Sequence, residues 1–192
     1  MTELAPAVAR TEPLRIPRTI VLVGLMGAGK SAIGRRLAAR LNLPFVDADR
    51  EIESAAGCTI EDIFERYGEP AFRAGERRVI LRLLSEPVHV LATGGGAFID
   101  AEIRAAVKAH GLSVWLRADL ELLLRRVSRR TDRPLLKRGE PREILERLMA
   151  ARYPIYAEAD MVVDSVDGPP DTMVDAVIAA LASCAAVAQV QP

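Results

Sequence analysis

The chain has 192 residues, half of them hydrophobic, with 26 basic and 26 acidic side chains and a formal net charge of zero. This length suits a single domain, and the balanced charge disfavours a general nucleic-acid binder, because such proteins usually carry a basic excess. The two cysteines lack the spacing of a disulfide framework or a cysteine-rich metal site, and no apolar run is long enough to cross a membrane. We therefore expect a cytoplasmic protein with no nucleic-acid or membrane partner. Because no long exposed apolar seam is evident, we also expect a monomer.

Short apolar runs alternate with helical patterns along the chain. Residues 1–17 are interrupted by prolines and carry no period, so we expect a flexible N-terminal tail, followed by one domain over 18–185 and a C-terminal tail over 186–192. The predicted strands are Thr19–Val23, 45–46, 88–92, 112–116 and 161–163. The predicted helices are Lys30–Leu41, 71–84, Ala101–His110, 120–129, 142–153 and 172–186. This alternation predicts an α/β fold with a central five-stranded parallel sheet and helices on both faces, and a ligand site at the carboxyl ends of the strands.

A glycine-rich segment separates the first predicted strand from the first predicted helix. Residues 24–31 read GLMGAGKS and fit the pattern GxxxxGK[ST]. In this pattern backbone N–H groups wrap a phosphate, Lys30 reaches the outer phosphates and Ser31 ligates Mg²⁺. The start of the helix adds a positive dipole end. The sequence therefore predicts a nucleotide triphosphate site, with ATP contacts from Gly27, Ala28, Gly29, Lys30, Ser31 and Ala32.

The acid that P-loop proteins need for the metal is missing from its usual place. The predicted strand 88–92 runs into Thr93 and glycines and offers no carboxylate. Asp47 and Asp49 follow the second strand two residues apart, so we expect them to face the same side. One of them would hold Mg²⁺ through water, and the other would approach a substrate hydroxyl as a base or an orienting group.

Two further features indicate an acceptor molecule. Arg73 and Glu76 are three residues apart on a predicted helix and share a face, although a surface ion pair is an alternative interpretation. Gly94–Gly95–Gly96 follows a strand and lets another molecule approach the backbone, although a plain turn would also fit. Together, an arginine, an acid and bare amides suit a small substrate with a carboxylate and several hydroxyls.

Arginines are concentrated between Arg125 and Arg138. A solvated charge run is the common alternative for any one of these arginines. A basic nucleic-acid patch is a second alternative, but no aromatic residues are interleaved to stack bases. A mobile lid over about 126–140 fits better, since it would close over the nucleotide, exclude water and neutralise charge on the transferring phosphoryl group.

These motifs together resemble the shikimate kinase family. The segments that carry the resemblance are GLMGAGKS, VDADREIE, FRAGE, ATGGG, DRPLL and RYPIYAEAD, in the family's order over about residues 18–166. The resemblance implies a P-loop kinase fold with a lid and a substrate-binding subdomain over about 47–78. It also implies MgATP-dependent phosphorylation of the 3-hydroxyl of shikimate, a step of aromatic amino acid biosynthesis.

The resemblance further implies roles for single residues on the acceptor side. Shikimate would be contacted by Asp49, Arg73, Gly94, Gly95, Gly96 and Arg152. Arg152 would be the second arginine on the carboxylate, Glu76 would support the site, and Asp49 would orient the 3-hydroxyl.

On the donor side, the resemblance implies that Ser31 ligates Mg²⁺ directly and Asp47 holds it through water. Lys30 and the lid residue Arg133 would stabilise the transferring group. Arg126 would stack near adenine, with Arg125 as the alternative.

Two other interpretations remain open. One is a related small-molecule kinase, for gluconate or a nucleoside monophosphate, and the other is a P-loop binding module without turnover. The joint presence of FRxxE, GGG and RxPxY favours a carboxylated polyol, and the presence of Lys30, Asp49 and Arg133 favours a working enzyme.

Overall fold

Five parallel strands form the centre of the protein. They are seen in a computed structural model that describes residues 14–128 and 140–184. The strands are β1 (Thr19–Val23), β2 (Phe45–Asp47), β3 (Val90–Ala92), β4 (Gly111–Arg117) and β5 (Met161–Asp164). Their order across the sheet is β2-β3-β1-β4-β5. All five residues of β1 are buried, as expected for a central strand covered on both faces, whereas β5 at the edge alternates between buried and exposed residues.

Seven helices accompany the sheet in the described part of the chain. They are α1 (Lys30–Leu41), α2 (Ala48–Ala56), α3 (Ile60–Leu84), α4 (Ala101–His110), α5 (Leu120–Ser128), α6 (Pro141–Tyr156) and α7 (Pro170–Ala182), with a short 3-10 helix at Ala97–Ile99. They cover both faces of the sheet, so the predicted α/β fold class is confirmed. The predicted bounds of β1, α1 and α4 are confirmed, and the other predicted elements are found with ends that differ by one to four residues, α3 excepted.

The structure contains more helix before Ala71 than the sequence analysis predicted. Helix α2 was missed, and α3 begins at Ile60 instead of residue 71. Thr59 and Asp62 form a capping box that starts α3, with the Thr59 hydroxyl oxygen accepting from the Asp62 amide. Gly68 then leaves the helical conformation (φ 78°, ψ 172°) just before Pro70. These two residues are helix-breaking signals in a sequence, which is why only the second half of α3 was predicted.

Some predicted features lie outside the described residues. They include residues 1–13 of the predicted N-terminal tail, residues 186–192, and residues 129–139 of the predicted lid with Arg133. Just beyond the first gap, Leu14 and Ile16 pack against the hydrophobic core. Helix α7 ends at Ala182, four residues before its predicted end.

None of the helices in residues 14–128 and 140–184 is both long enough and apolar enough to cross a membrane.

Helix α1 lies unusually close to the sheet at Gly34. A Cβ atom built at this position would lie 2.6 Å from the ring of Phe45 and 3.1 Å from a methyl group of Leu22. Because α1 begins within the P-loop, the glycine-rich segment of residues 24–31, this close approach also fixes the loop against β1. Gly34 therefore contributes to the placement of the phosphate site through packing.

We expect Gly34→Ala to lower the free energy of unfolding by about 1–3 kcal/mol, because the added methyl group overpacks a buried contact. Gly75→Ala in α3 is the matched control, since nothing lies within 4 Å of a Cβ there. Gly75→Ala should raise the free energy of unfolding by up to about 1 kcal/mol. Urea denaturation measures both changes, and equal effects of the two substitutions would contradict the packing argument.

Candidate active site

Two loops and the end of a strand meet at the carboxyl edge of the sheet. The P-loop follows β1, the turn 94–96 follows β3, and Asp47 ends β2. Between them lies a cleft of about 420 Å³. Its lining includes Met26, Gly27, Gly29, Lys30, Ser31, Ala32, Ile33, Asp47, Asp49, Thr93, Gly94, Gly95, Arg126, Val127, Gly168, Pro170 and Met173. The structure thus brings most of the predicted donor-side residues and several acceptor-side residues to one cavity.

The P-loop presents positive charge to this cleft. Gly27 and Gly29 have positive φ angles, and Gly29 is the N-cap of α1. Lys30 Nζ donates to the carbonyl oxygens of Gly24 at 2.7 Å and Leu25 at 3.0 Å. The ammonium group therefore lies over the loop at the positive end of the helix, where an anion is favoured.

Ser31 and Asp47 are joined directly. The Ser31 hydroxyl donates to Asp47 Oδ2 at 2.7 Å, and Asp47 Oδ1 accepts from the Asp49 amide at 3.2 Å. Asp47 is also the N-cap of α2, so its carboxylate is fixed by both neighbours. The prediction that Asp47 and Asp49 both sit at a strand end was wrong for Asp49, which lies in the first turn of α2 because Asp47 starts a helix there. Both carboxylates nevertheless line the cleft.

On the acceptor side, Arg73 and Glu76 form a largely buried ion pair. Arg73 Nη1 donates to Glu76 Oε2 at 2.6 Å, and Glu76 is 1% exposed. Arg73 also contacts Glu69 at 3.2 Å. Burial raises the pKa of Glu76, an effect that Arg73 opposes and the nearby Asp49 carboxylate reinforces. The alternative of an ordinary surface ion pair therefore does not describe this contact.

The glycines of the turn 94–96 leave room for these charged groups. A Cβ at Gly94 would lie 2.9 Å from Asp49 Oδ1 and 3.0 Å from Glu76 Oε1, so two carboxylates converge on this residue. A Cβ at Gly96 would lie 2.5 Å from the Arg73 guanidinium. Any larger residue would displace at least one of these side chains, and the turn is therefore more than a flexible connection.

Arg152 reaches the same turn from α6. Its Nη1 donates to the Gly95 carbonyl at 2.8 Å, and the residue is half-buried. Arg73 and Arg152 thus place two guanidinium groups at neighbouring glycines.

The two adjacent arginines of α5 have different surroundings. Arg126 lines the cleft and donates to the Val166 carbonyl at 2.8 Å, and its Nη1 lies 3.4 Å from the Ala28 carbonyl oxygen. Arg125 forms an exposed ion pair with Asp167 at 3.4 Å. Of the two, Arg126 therefore faces the P-loop.

Sequence reasoning missed two parts of this region. Gly168, Pro170 and Met173 line the cleft because they follow β5, and the rule that ligands bind beyond the carboxyl ends of strands could have found them. Tyr156 donates its hydroxyl to the Gly95 carbonyl. Tyr156 lies in the RYPIYAEAD segment that carried the resemblance, but its contact depends on the position of α6 over the turn.

A profile of the shikimate kinase family matches residues 26–182 of the chain. The chain is 64% identical over 174 residues to the shikimate kinase of Paramagnetospirillum magneticum, a match that covers 89% of each chain.

Two solved structures are informative. The structure of a shikimate kinase from Acinetobacter baumannii in complex with shikimate has a TM-score of 0.83 and 40% identity, and the match covers 86% of this chain and 93% of that one. A gluconokinase from Sinorhizobium meliloti has a TM-score of 0.59 at 21% identity, covering 88% of this chain and 93% of that one, and so shares the fold alone. With the family profile spanning most of its length and the phosphate and acceptor sides of its cleft assembled from the motif residues, the chain belongs to the shikimate kinase family.

Proposed function

We propose that this protein transfers the γ-phosphate of ATP to the 3-hydroxyl of shikimate, giving shikimate 3-phosphate and ADP. The observation that carries the proposal is the pair Arg73 and Arg152 at the turn 94–96, beside the P-loop. Guanidinium groups bind carboxylates through paired charge-assisted hydrogen bonds. The carboxylates of Asp49 and Glu76 beside them are acceptors for hydroxyl groups. A carboxylated polyol matches both requirements.

The donor would bind along the P-loop. Lys30, the backbone amides of 27–29 and the start of α1 supply positive charge for the phosphates. Arg126 lies beside the loop on the side of residues 166–170, which suits contact with the adenine. Arg133, which lies outside the described residues, is proposed to close over the phosphates with the lid. We also propose a cytoplasmic location, which the use of ATP fits, and a monomeric state.

The residues at the P-loop fit a magnesium ion. Within residues 14–128 and 140–184 no three His, Cys, Asp or Glu side chains gather as a metal cluster. Mg²⁺ does not need one, because it is commonly held by one or two carboxylates together with water and substrate phosphates. The Ser31 hydroxyl and the Asp47 carboxylate lie 2.7 Å apart at the P-loop, so Ser31 would ligate the ion directly and Asp47 would hold it through water. The bound ion would neutralise charge on the phosphates during transfer.

Asp49 is the residue best placed to act on the accepting hydroxyl. Its carboxylate lines the P-loop cleft, and a Cβ atom at Gly94 would lie 2.9 Å from its Oδ1, so it faces both the phosphate site and the glycine turn. We propose that Asp49 accepts a hydrogen bond from the 3-hydroxyl, aims its oxygen at the γ-phosphorus and takes its proton as the bond forms. Positioning would account for most of this contribution, since phosphoryl transfer needs little covalent help.

The alternative acceptors fit this site less well. Gluconate also carries a carboxylate and hydroxyls, but the gluconokinase match rests on the fold alone. A nucleoside monophosphate would bring a planar base to a turn surrounded by arginines and acids. A binding module without turnover would have no need of Asp49 at the glycine turn.

The direct test measures ADP release with shikimate, gluconate, AMP or no acceptor at equal protein concentration. We expect ADP release that depends on both shikimate and Mg²⁺, with gluconate and AMP near the level without acceptor. Release with gluconate or AMP but not with shikimate would contradict the proposed function, and release without any acceptor would indicate a hydrolase.

Arg73→Lys should raise the KM for shikimate about tenfold or more, because lysine keeps the charge but loses the planar fork that matches a carboxylate. The KM for ATP should change little. Arg78→Lys is the matched control, since Arg78 is an exposed arginine on the same helix. Initial rates at varied shikimate and ATP measure the effect, and a rise in the KM for ATP instead would place Arg73 on the donor side.

Glu76 should make stability fall as pH rises. Burial raises its pKa in the folded protein above the unfolded value of about 4.5. Below the unfolded pKa the group is protonated in both states. Between the two pKa values the folded state holds more protons, so the free energy of unfolding declines as pH rises through this window.

Glu76→Gln removes the titratable carboxyl group and should therefore flatten the decline of the free energy of unfolding with pH. Urea denaturation of both proteins from about pH 4 to 7 measures the difference in slope. If the free energy of unfolding of the wild type rose with pH relative to that of Glu76→Gln, the pKa of Glu76 would be lowered by folding, contrary to this prediction.

A further inference from the structure

The Gly95 carbonyl receives two hydrogen bonds from one helix. Arg152 Nη1 and the Tyr156 hydroxyl both donate to it, four residues apart on α6. A carbonyl oxygen has two lone pairs and accepts both bonds. Arg152 is also proposed to bind the carboxylate of the acceptor, so its hydrogen bond to the Gly95 carbonyl competes with substrate binding.

Tyr156 is fixed much more firmly than Arg152. It is 1% exposed, and its ring packs against Phe98, Trp115 and Tyr153 with centroid distances of 6.5, 5.9 and 6.2 Å. Burial raises the pKa of its hydroxyl, which therefore stays protonated and donates at neutral pH. A buried hydroxyl without its partner would be costly, so this bond persists.

The direction of the Gly95 carbonyl determines the direction of the next amide. No peptide bond in the described residues is cis, so the Gly95 C=O and the Gly96 N–H lie in one plane and point in opposite directions. Glycines restrict the rotation of this plane less than other residues do. The Arg73 guanidinium packs against Gly96, so a rotation of the plane would also disturb Arg73.

We propose that Tyr156 is a positioning residue of the acceptor site, whose hydroxyl keeps the Gly95–Gly96 peptide oriented when Arg152 turns from the Gly95 carbonyl to the carboxylate of the substrate. A carboxylate is the stronger acceptor for a guanidinium, which gives Arg152 a reason to exchange partners. Tyr156 then holds the turn against which Arg73, Asp49 and Glu76 are packed. The inference rests on the proposed function, because it assigns a carboxylated acceptor to the site.

The test compares Tyr156→Phe with Tyr153→Phe. Tyr153 is a matched control, because its hydroxyl also donates to a backbone carbonyl, that of Ala118 after β4, and its ring also contacts Trp115. Each substitution removes one oxygen atom and keeps the ring. We expect Tyr156→Phe to raise the KM for shikimate about fivefold, the factor that one hydrogen bond contributes, with the KM for ATP unchanged. Tyr153→Phe should leave both KM values within about twofold of the wild type.

Two readouts separate positioning from a loss of folded protein. Partial unfolding lowers the apparent kcat but leaves the KM of the folded fraction unchanged. Titration of Trp115 fluorescence with shikimate gives a Kd without turnover, since Trp115 is the single tryptophan. An unchanged shikimate KM and Kd in Tyr156→Phe, or an equal rise in Tyr153→Phe, would overturn the inference. A wild type that shows no shikimate-dependent ADP release would overturn the proposed function instead.

Discussion

Parallel pairing of β1 with both of its neighbours is the constraint on which the site depends. Ile20 lies opposite Val90 of β3 and Leu112 of β4, so all three strands end at the same edge. The P-loop and the turn 94–96 follow β1 and β3 directly and therefore meet there. A slip of one residue in this register would move one loop past the other by about 3.3 Å, more than a hydrogen bond can absorb. Complete burial of β1 opposes such a slip, and hydrophobic packing thus sets the distance between donor and acceptor.

On the acceptor side, burying the charged pair of Glu76 and Arg73 costs electrostatic free energy but fixes the position of the Arg73 guanidinium. Glu76 is a carboxylate in the protein interior, and its ion pair with Arg73 compensates only part of the cost of burying it. Replacing such a pair by apolar residues is often neutral or stabilising, so stability alone does not explain its presence. The pair fixes the Arg73 guanidinium against Gly96. Holding a binding group in its productive place before the ligand arrives reduces the ordering cost of binding.

Features that depend on residues close together in the sequence were predicted, whereas features that depend on contacts between distant residues were not. The order strand, glycine loop and helix is local, and both β1 and α1 were predicted with their observed bounds. The first half of α3 was missed because Gly68 and Pro70 resemble a helix end, although the helix resumes after the kink at Gly68. Helix α2 was missed because Asp47 and Asp49 were both assigned to a strand end, whereas Asp47 caps a helix there. The choice between Arg125 and Arg126 depends on the rotational setting of α5 against the P-loop. The contact of Tyr156 with Gly95 joins residues 61 positions apart, and no local pattern contains that information.

Hydrogen bonds inside the protein explain how so many polar groups coexist around the cleft and its glycine turn. Lys30 donates to P-loop carbonyls, Arg126 to the Val166 carbonyl and Arg152 to the Gly95 carbonyl. All of these acceptors are neutral. Phosphate and carboxylate groups are charged and form stronger bonds with the same cations, so ligand binding would exchange weaker bonds for stronger ones. The exchange is selective for anions because a neutral ligand gains nothing over the carbonyls it displaces. At Gly95 it also leaves no unpaired acceptor, since the Tyr156 hydroxyl stays bonded to the carbonyl that Arg152 gives up.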